Sequence, residues 1–284
     1  VLPILSETVM NGEKIADARS YSLWAIICAV CLVGFSALSV ANTKERHITT
    51  PKEKFTFKKM FLIAKNNDQL LVFMLFAMLS NAGWYMVSGV GVYYFDVVIG
   101  DPSKQSAFNL LGAVGSVLGL VVVPALTKIT TRRRTYQISL LLAIFGFIGM
   151  SVAIKTTGSF LLMNLCYLVA SIGVASMFVQ QTVFLADIVD YGEGKQGFRS
   201  ESITFSMKGF LQKMAYTIQT IILFAGLEIS HYNENLHYEN ADEVKTAISF
   251  MMLVAPAILI IISLIVYTTK FKLHGKFMEE ITAQ

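Results

Sequence analysis

Charged residues that could pair with one another crowd one short segment of the chain, and two lysines follow it. Asp187 and Asp190 precede three glycines, and Arg199 comes soon after them. Opposite charges placed this close can form a contact that is made in one state and broken in another. Lys208 and Lys213 then fall within an apolar stretch, where a charge is costly and usually marks a binding site or pathway. The chemistry indicated is ionic binding and switching.

The composition places these residues in a membrane protein. Of the 284 residues, 55% are hydrophobic and only 15% are charged, with a mean hydropathy of +0.60. Seven apolar segments can each cross a hydrocarbon core of about 30 Å as a helix. They are Tyr21–Val40, Leu70–Phe95, Phe108–Thr127, Tyr136–Ile154, Phe160–Ala186, Ile203–Leu227 and Ala247–Thr269. We therefore expect an all-α integral membrane protein, and the net charge of +4 is too small to indicate a nucleic-acid partner.

The connections between spans alternate in charge. Lysines and arginines are concentrated in segment 44–68, in the third connection at Arg132–Arg134, and in the C-terminal tail, whereas acids are concentrated in the other connections. Cytoplasmic loops carry an excess of lysine and arginine. This pattern predicts a multi-pass protein of the bacterial inner membrane, with the N-terminus of the chain outside and the C-terminus in the cytoplasm.

Two other classes of membrane protein stay open at this point. Seven spans in this orientation also describe many receptors, and a membrane-embedded enzyme could use Asp187 and Asp190. No Gly-rich phosphate loop, HExxH or GxSxG motif occurs, and the four histidines lie in predicted loops without ligand spacing. We predict no catalytic residue, no metal site and no enzymatic activity. The small-residue pattern Gly115–Gly119 predicts close helix packing.

The sixth span carries a polar stripe at helical spacing, formed by Thr204, Lys208, Gln212, Tyr216 and either Gln219 or Thr220. Lys213 lies about 140° around the helix from Lys208 and roughly 15 Å deep, near the midplane. Lys208 lies only about 8 Å deep, so its side chain could reach the interface. Lys213 is therefore the better candidate for a central polar network.

Two further spans carry candidate sugar contacts. Asn81, Trp84 and Tyr85 follow i, i+3, i+4 spacing and share one face of the second span. An aromatic ring can stack on the apolar face of a sugar while amides bind its hydroxyls, although packing between helices explains the same pattern. Gln181, in the fifth span, belongs to a polar cluster that could line the same cavity.

The acidic pair is predicted at the C-terminal end of the fifth span. Carboxylates there oppose the helix dipole, so Asp187 and Asp190 need cationic partners, and Lys195 and Arg199 are the nearby candidates. Such a cluster could be a gate or latch on the cytoplasmic side, or a plain ion pair in a loop. The residues leave both interpretations open.

The same segment resembles a known family. The run from Ala186 to Glu193, then Gly197, Arg199, Glu201, Ser202, Ile203, Ser206 and Lys213, is similar to the glycoside–pentoside–hexuronide:cation symporters of the major facilitator superfamily, which include melibiose permease. In that family the pattern joins the tenth and eleventh of twelve helices. The resemblance implies that this chain covers the last seven, in agreement with its start at Val1. Residues 1–43 would end the first half, 44–68 would form the cytoplasmic linker, 69–270 the C-terminal six-helix bundle and 271–284 the tail.

The resemblance also implies a function, namely symport of a sugar or glycoside with a cation by alternating access. Lys213 matches the family lysine beside the central sugar and cation sites, and Phe178 falls where melibiose permease has a sugar-facing tryptophan. Lys208 replaces a glutamine, which puts a melibiose-like specificity in doubt and favours an anionic sugar such as a hexuronide. No cofactor is implied. The acidic residues that bind Na⁺ or H⁺ lie on first-half helices, so we expect the chain alone to be inactive, with a sugar and the bilayer as its partners.

Overall fold

The computed structural model describes residues 9–10, 13–14, 18–43, 66–196 and 201–273. The chain divides into two units, Val1–Lys54 and Phe55–Gln284, which are described separately. The first unit contains two short antiparallel strands, β1 (Val9–Met10) and β2 (Glu13–Lys14), and helix α1 (Ala18–Asn42). The apolar side chains of α1 are exposed, as for a helix in an apolar surrounding such as lipid.

The second unit is a bundle of membrane-length helices. Its elements are α2 (Asp68–Tyr93) with a π-helical turn (Tyr94–Val98), α3 (Lys104–Ile129), α4 (Arg132–Thr157), α5 (Phe160–Gln196), α6 (Glu201–Ile229), a 3₁₀ turn (Glu234–Glu239), α7 (Asp242–Ser249), a second π-helical turn (Phe250–Val254) and α8 (Ala255–Lys270). Over the described residues of both units, seven helical spans are long and apolar enough to cross a membrane. The predicted all-α membrane class is confirmed. Within the described ranges, the short β1–β2 pair is an addition to that prediction.

Only some of the predicted domain boundaries fall within the described residues. Most of the predicted linker 44–68 and most of the predicted tail 271–284 lie outside the described residues. Asp68, the last residue assigned to the linker, begins α2, because the side chain of Asn67 accepts a hydrogen bond from the Leu70 backbone and caps the helix. The domain division itself stays a prediction.

Glycines let α5 pack closely against two neighbouring helices. A Cβ atom added to Gly115 or Gly119 of α3 would lie 2.6 Å from a backbone carbonyl oxygen of α5. At Gly146 of α4, an added Cβ would lie 2.5 Å from the backbone nitrogen of Ala170. The predicted close packing at Gly115–Gly119 is therefore confirmed, and α4 uses the same device.

We expect Gly146→Ala to destabilise the bundle by about 1–3 kcal/mol, since the added methyl group meets backbone that cannot rotate away. Gly209→Ala is the matched control, because a Cβ at this position in α6 has nothing within 4 Å. The measurement is the thermal unfolding midpoint of each variant in detergent, followed by circular dichroism. Equal midpoints for the two variants would contradict the close α4–α5 contact.

An aromatic core fixes one end of the bundle. The Phe76 ring of α2 lies 5.6 Å from that of Tyr136 in α4, 5.2 Å from that of Tyr267 in α8, and 6.5 Å from that of Phe184 in α5. All four rings are buried. Edge-to-face contacts of this kind stabilise beyond the area that they bury. The core therefore holds the first turn of α4 beside the last turns of α5, where the charged residues lie.

Candidate functional site

Helix α6 exposes two sides of different chemistry. Lys213, Tyr216 and Thr220 are exposed and lie within about 60° of one another around the helix. Phe210, Met214 and Ile221 are also exposed, on a side rotated from the first by roughly 110°. Only the second, apolar side is suited to contact lipid, because the first side carries Lys213 and a lysine in hydrocarbon is costly. The first side, called here the polar side of α6, is suited to water or substrate.

Lys213 is available for binding on that side. Its side chain is exposed, and among the described residues its ammonium group makes no hydrogen bond or ion pair, while its backbone carbonyl accepts a bond from the Thr217 hydroxyl. A midplane lysine needs a partner or water. Its role in substrate binding stays a prediction, and the exposed position is compatible with it.

An aromatic pair connects α2 to the polar side of α6. The rings of Tyr85 and Tyr216 are parallel within 9°, with centroids 3.8 Å apart. Tyr85 is only 8% exposed whereas Tyr216 is 52% exposed. Tyr216 therefore covers the ring of Tyr85, which was the predicted sugar contact. Sequence reasoning placed Tyr216 in the polar stripe without assigning it a contact. Its i, i+4 relation to Gln212 and Thr220 was the only available signal.

Trp84 and Phe178, both predicted as substrate contacts, lie close together. Both line a cavity of about 280 Å³ between α2, α3 and α5. The Trp84 ring is half-buried and runs parallel to that of Tyr167, 6.0 Å away. Asn81, one turn before Trp84, is buried, and its Oδ1 atom has no hydrogen-bond partner among the described residues. An amide oxygen without a partner is costly, so it is suited to accept a hydrogen bond from water or ligand.

Gln181 departs from its predicted position. Its side chain is only 2% exposed, and its Nε2 donates to the Ser80 hydroxyl at 3.2 Å and to the Tyr136 hydroxyl at 3.3 Å. The expectation that it lines the cavity is corrected, because α5 packs this side against α2 and α4. Gln181 therefore serves the helix core.

Lys208 also differs from its expected geometry. Its Nζ donates to the hydroxyl of Thr182 in α5 at 2.7 Å, so the side chain extends across to α5 and does not reach for the interface. This bond ties α6 to α5 on the helix turn that follows Phe178. Thr182 is adjacent in sequence to Gln181, and its polar side chain was the available signal for this contact.

The acidic segment is helical, which changes its partners. Helix α5 continues to Gln196, so Asp187 and Asp190 lie well before its C-terminus. Asp187 is 8% exposed, and its Oδ1 lies 3.3 Å from Nη1 of Arg132 at the start of α4. Arg132, one of the arginines that served as a topology signal in the sequence, is thus the observed partner of Asp187 in place of Lys195. Lys195 lies two turns beyond Asp187, which is about 12 Å along the helix axis.

Lys195 has a different acidic partner. Its Nζ lies 2.6 Å from Oδ1 of Asp68, and the same oxygen accepts a 2.8 Å bond from the Tyr191 hydroxyl. Both charged side chains are about half-exposed, so an isolated pair of this kind contributes only about 0–1 kcal/mol. The Asn67 amide adds a 3.2 Å bond to the Ile188 carbonyl. Together with Arg132–Asp187, these contacts join α2, α4 and α5 at one membrane face.

We call this group of contacts the ion-pair cluster, formed by Asp68, Arg132, Asp187 and Lys195. Asp190 lies half-buried three residues after Asp187. Arg199 lies outside the described residues. The assignment of Asp187, Asp190 and Arg199 to a latch therefore stays a prediction, with Arg132 as the observed cation beside Asp187.

Comparison with known proteins gives the same picture of a transport protein. A family profile described as "MFS/sugar transport protein" matches residues 4–275. The uncharacterized symporter YjmB of Bacillus subtilis is 28% identical over 251 residues, which cover 84% of this chain and 52% of that protein. The isoprimeverose transporter of Lactiplantibacillus pentosus is 27% identical, covering 86% of this chain and 51% of the transporter.

A third relative is the lactose permease of Lactobacillus delbrueckii, which is 24% identical over 96% of this chain and 44% of the permease. The chain thus spans about half the length of the curated relatives that it matches. Two of these relatives are named for the sugars that they carry, and the third is named a symporter. None is named as a receptor or an enzyme.

Proposed function

Because the chain belongs to the MFS/sugar transport protein family, we propose that it supplies one helical half of a sugar:cation symporter. The observation that carries the proposal is the polar side of α6, where Lys213 and Tyr216 are exposed in a membrane-spanning helix. Such a side needs an aqueous or protein surrounding, and a second helical half across a substrate cavity supplies both. The protein containing this sequence is called the complete carrier below.

The proposed site lies on α2, α5 and α6. The Tyr216 ring and the Trp84–Phe178 cavity offer apolar surfaces to a sugar ring, while Asn81 Oδ1 accepts a hydrogen bond and the Lys213 ammonium donates one. Lys208 is held by Thr182 and so shapes the wall between α5 and α6. Transport requires only binding and release, without covalent chemistry.

Alternating access needs a contact that differs between states, and the ion-pair cluster is the proposed one. Its Arg132 and Lys195 carry positive charge at the membrane face where the basic connections converge, which supports assignment of that face to the cytoplasm. The Arg132–Asp187 contact would hold α4 to α5 when the cytoplasmic side is closed. We also propose that sugar movement is coupled to entry of Na⁺ or H⁺.

A sugar competition assay tests the substrate class. With Lys213 as an ammonium donor, we expect a uronic-acid sugar to compete for uptake about tenfold better than its neutral counterpart, since hydrogen bonds to charged groups contribute about 1.5–3 kcal/mol. The measurement is uptake of a radiolabelled glycoside by cells expressing the complete carrier, with glucuronide and glucoside competitors, each with and without Na⁺. Equal competition would contradict an anionic substrate, and competition by no sugar would contradict sugar transport itself.

A further inference from the structure

A second contact between α2 and α6 lies beyond the proposed sugar site. The rings of Tyr85 and Tyr216 stack, and about one turn further along both helices the Gln219 side chain lies against Gly89. Because residue numbers rise in the same direction through both contacts, the two helices are parallel here. Three or four residues of a helix span roughly 5 Å. The second contact is therefore roughly 5 Å from the first, on the side away from Asp68 and the ion-pair cluster.

Gln219 is a buried amide without a hydrogen-bond partner. Its side chain is 5% exposed, and its carboxamide makes no hydrogen bond with any residue that the structure describes. Gly89 provides the space for it, since a Cβ atom added there would overlap Nε2 and lie 2.7 Å from Cδ of Gln219. A buried amide that lacks partners is costly. Its position is therefore suited to a ligand that supplies the missing hydrogen bonds.

Two exposed hydroxyl groups lie at the same level as this amide. Ser88 lies one turn beyond Trp84 on the same face of α2. Thr220 follows Gln219 and lies one turn beyond Tyr216, on the polar side of α6. Neither hydroxyl makes a hydrogen bond within the described part of the chain. Because both are exposed, a ligand held against these sides of the two helices reaches the level of the amide.

These three side chains offer uncharged donors and acceptors, which are the partners that sugar hydroxyls need. A carboxamide carries both a donor and an acceptor, and a hydroxyl can act as either. The exposed Tyr216 ring lies between this group and Lys213, which is one turn earlier in α6. One sugar ring can therefore bind at the level of Lys213 while a ring linked to it reaches Gln219.

We propose that Ser88, Gln219 and Thr220 form a second sugar subsite, which binds the second ring of a disaccharide. The subsite rests on the proposed function, because the first ring is held at the level of Lys213. It makes the complete carrier selective for linked sugars over single ones. The Gln219 carboxamide donates and accepts hydrogen bonds, the two hydroxyls bind the same ring from either helix, and Gly89 keeps open the space in which the carboxamide lies.

Competition by paired sugars in the complete carrier tests the subsite. Each pair shares its first ring: cellobiose with methyl β-glucoside, lactose with methyl β-galactoside, and cellobiouronic acid with methyl β-glucuronide. The measurement is inhibition of the uptake of a radiolabelled glycoside. We expect at least one disaccharide to compete about tenfold better than its methyl glycoside. Gln219→Leu keeps the size of the side chain and should remove about this factor, as for the loss of two uncharged hydrogen bonds, while changing competition by the methyl glycoside less than about twofold.

Gln137→Leu is the matched control, because it makes the same substitution in α4, which supplies no residue of the proposed sugar sites. If Gln219→Leu fails to reach the membrane, Gly89→Ala decides the matter. The added methyl group displaces only the flexible end of the Gln219 side chain, so the fold is kept and disaccharide competition should fall severalfold.

The possible failures of the subsite and of sugar transport are distinguishable. Equal competition by both members of every pair would overturn the subsite and leave sugar transport in place. The same conclusion follows if the variants weaken both members alike, or if they weaken neither. Competition by no sugar would instead contradict the proposed function itself.

Discussion

Replacing Lys213 with alanine in the complete carrier should reduce sugar uptake by about 10- to 100-fold while leaving the amount of protein in the membrane unchanged. A hydrogen bond to a charged group is worth about 1.5–3 kcal/mol, and about 1.4 kcal/mol corresponds to a factor of ten. The side chain is exposed and makes no hydrogen bond or ion pair within the described part of the chain. Its removal therefore costs binding and not folding, since exposed substitutions usually change stability by less than about 0.5 kcal/mol.

The matched control for this experiment is Lys128→Ala, which removes another exposed lysine, from the end of α3. Initial uptake rates are measured over a range of sugar concentrations, with carrier abundance determined by immunoblot of the membranes. Lys213→Arg keeps the charge and should retain part of the uptake. Normal uptake by Lys213→Ala would remove Lys213 from the site, and an equal loss in Lys128→Ala would assign the effect to net charge.

Reversing the charge of Arg132 should also strongly reduce uptake, and reversing Asp187 at the same time should restore much of it. Arg132→Asp places a carboxylate beside Asp187, whose oxygen now lies 3.3 Å from the guanidinium and is largely buried. Leaving a buried charge without its partner costs about 1–3 kcal/mol or more. The Arg132 side chain is 65% exposed, so solvent screens its charge and the cost lies at the lower end of this range. We therefore expect uptake to fall roughly tenfold.

Arg134→Asp is the control for charge reversal, since the Arg134 side chain is exposed and makes no hydrogen bond or ion pair within the described residues. Uptake and the thermal midpoint in detergent are measured for each single variant and for Arg132→Asp/Asp187→Arg. A latch predicts that single variants lose uptake at nearly unchanged midpoints. If midpoints and uptake fall in parallel, the pair is a permanent tie between α4 and α5. Failure of the double variant to recover would contradict direct coupling of the two residues.

The remaining contacts of the ion-pair cluster suggest how a latch could open at a small cost in free energy. Asp68 and Lys195 are both half-exposed, so their bond is weak and easily exchanged for water. Asp187 is the buried member, and it contacts a residue on a different helix. Movement of α4 relative to α5 at this face would therefore change the surroundings of one carboxylate more than those of the other charges.

Hydrophobic length and periodicity were sufficient to predict the helices, because a span must satisfy its backbone internally and bury or expose apolar side chains in lipid. Gly115 and Gly119 predicted close packing, because small residues at helical spacing let two helix backbones approach each other. The dense run around Asp187 and Lys213 identified the family, which the match over residues 4–275 confirms. The sequence singled out Lys213 by its depth near the midplane, and the structure places its exposed side chain beside Tyr216 and Thr220.

Pairings between helices could not be obtained in this way. Asp187 meets Arg132 and not Lys195, because α5 continues as a helix to Gln196 and packs against the first turn of α4. Gln181 faces the core and Lys208 reaches Thr182, since the packing of α5 decides which of its polar side chains turn inward.

The sequence by itself therefore determined the membrane class, the spans, the family and the two segments that carry charge. Only the tertiary structure decided which charge meets which, which aromatic ring covers another, and which side chains line the cavities between helices. The physical reason is that hydropathy and helix periodicity are properties of local sequence. Ion pairs, ring stacking and cavities depend on side chains that are distant in the chain and are brought together by helix packing.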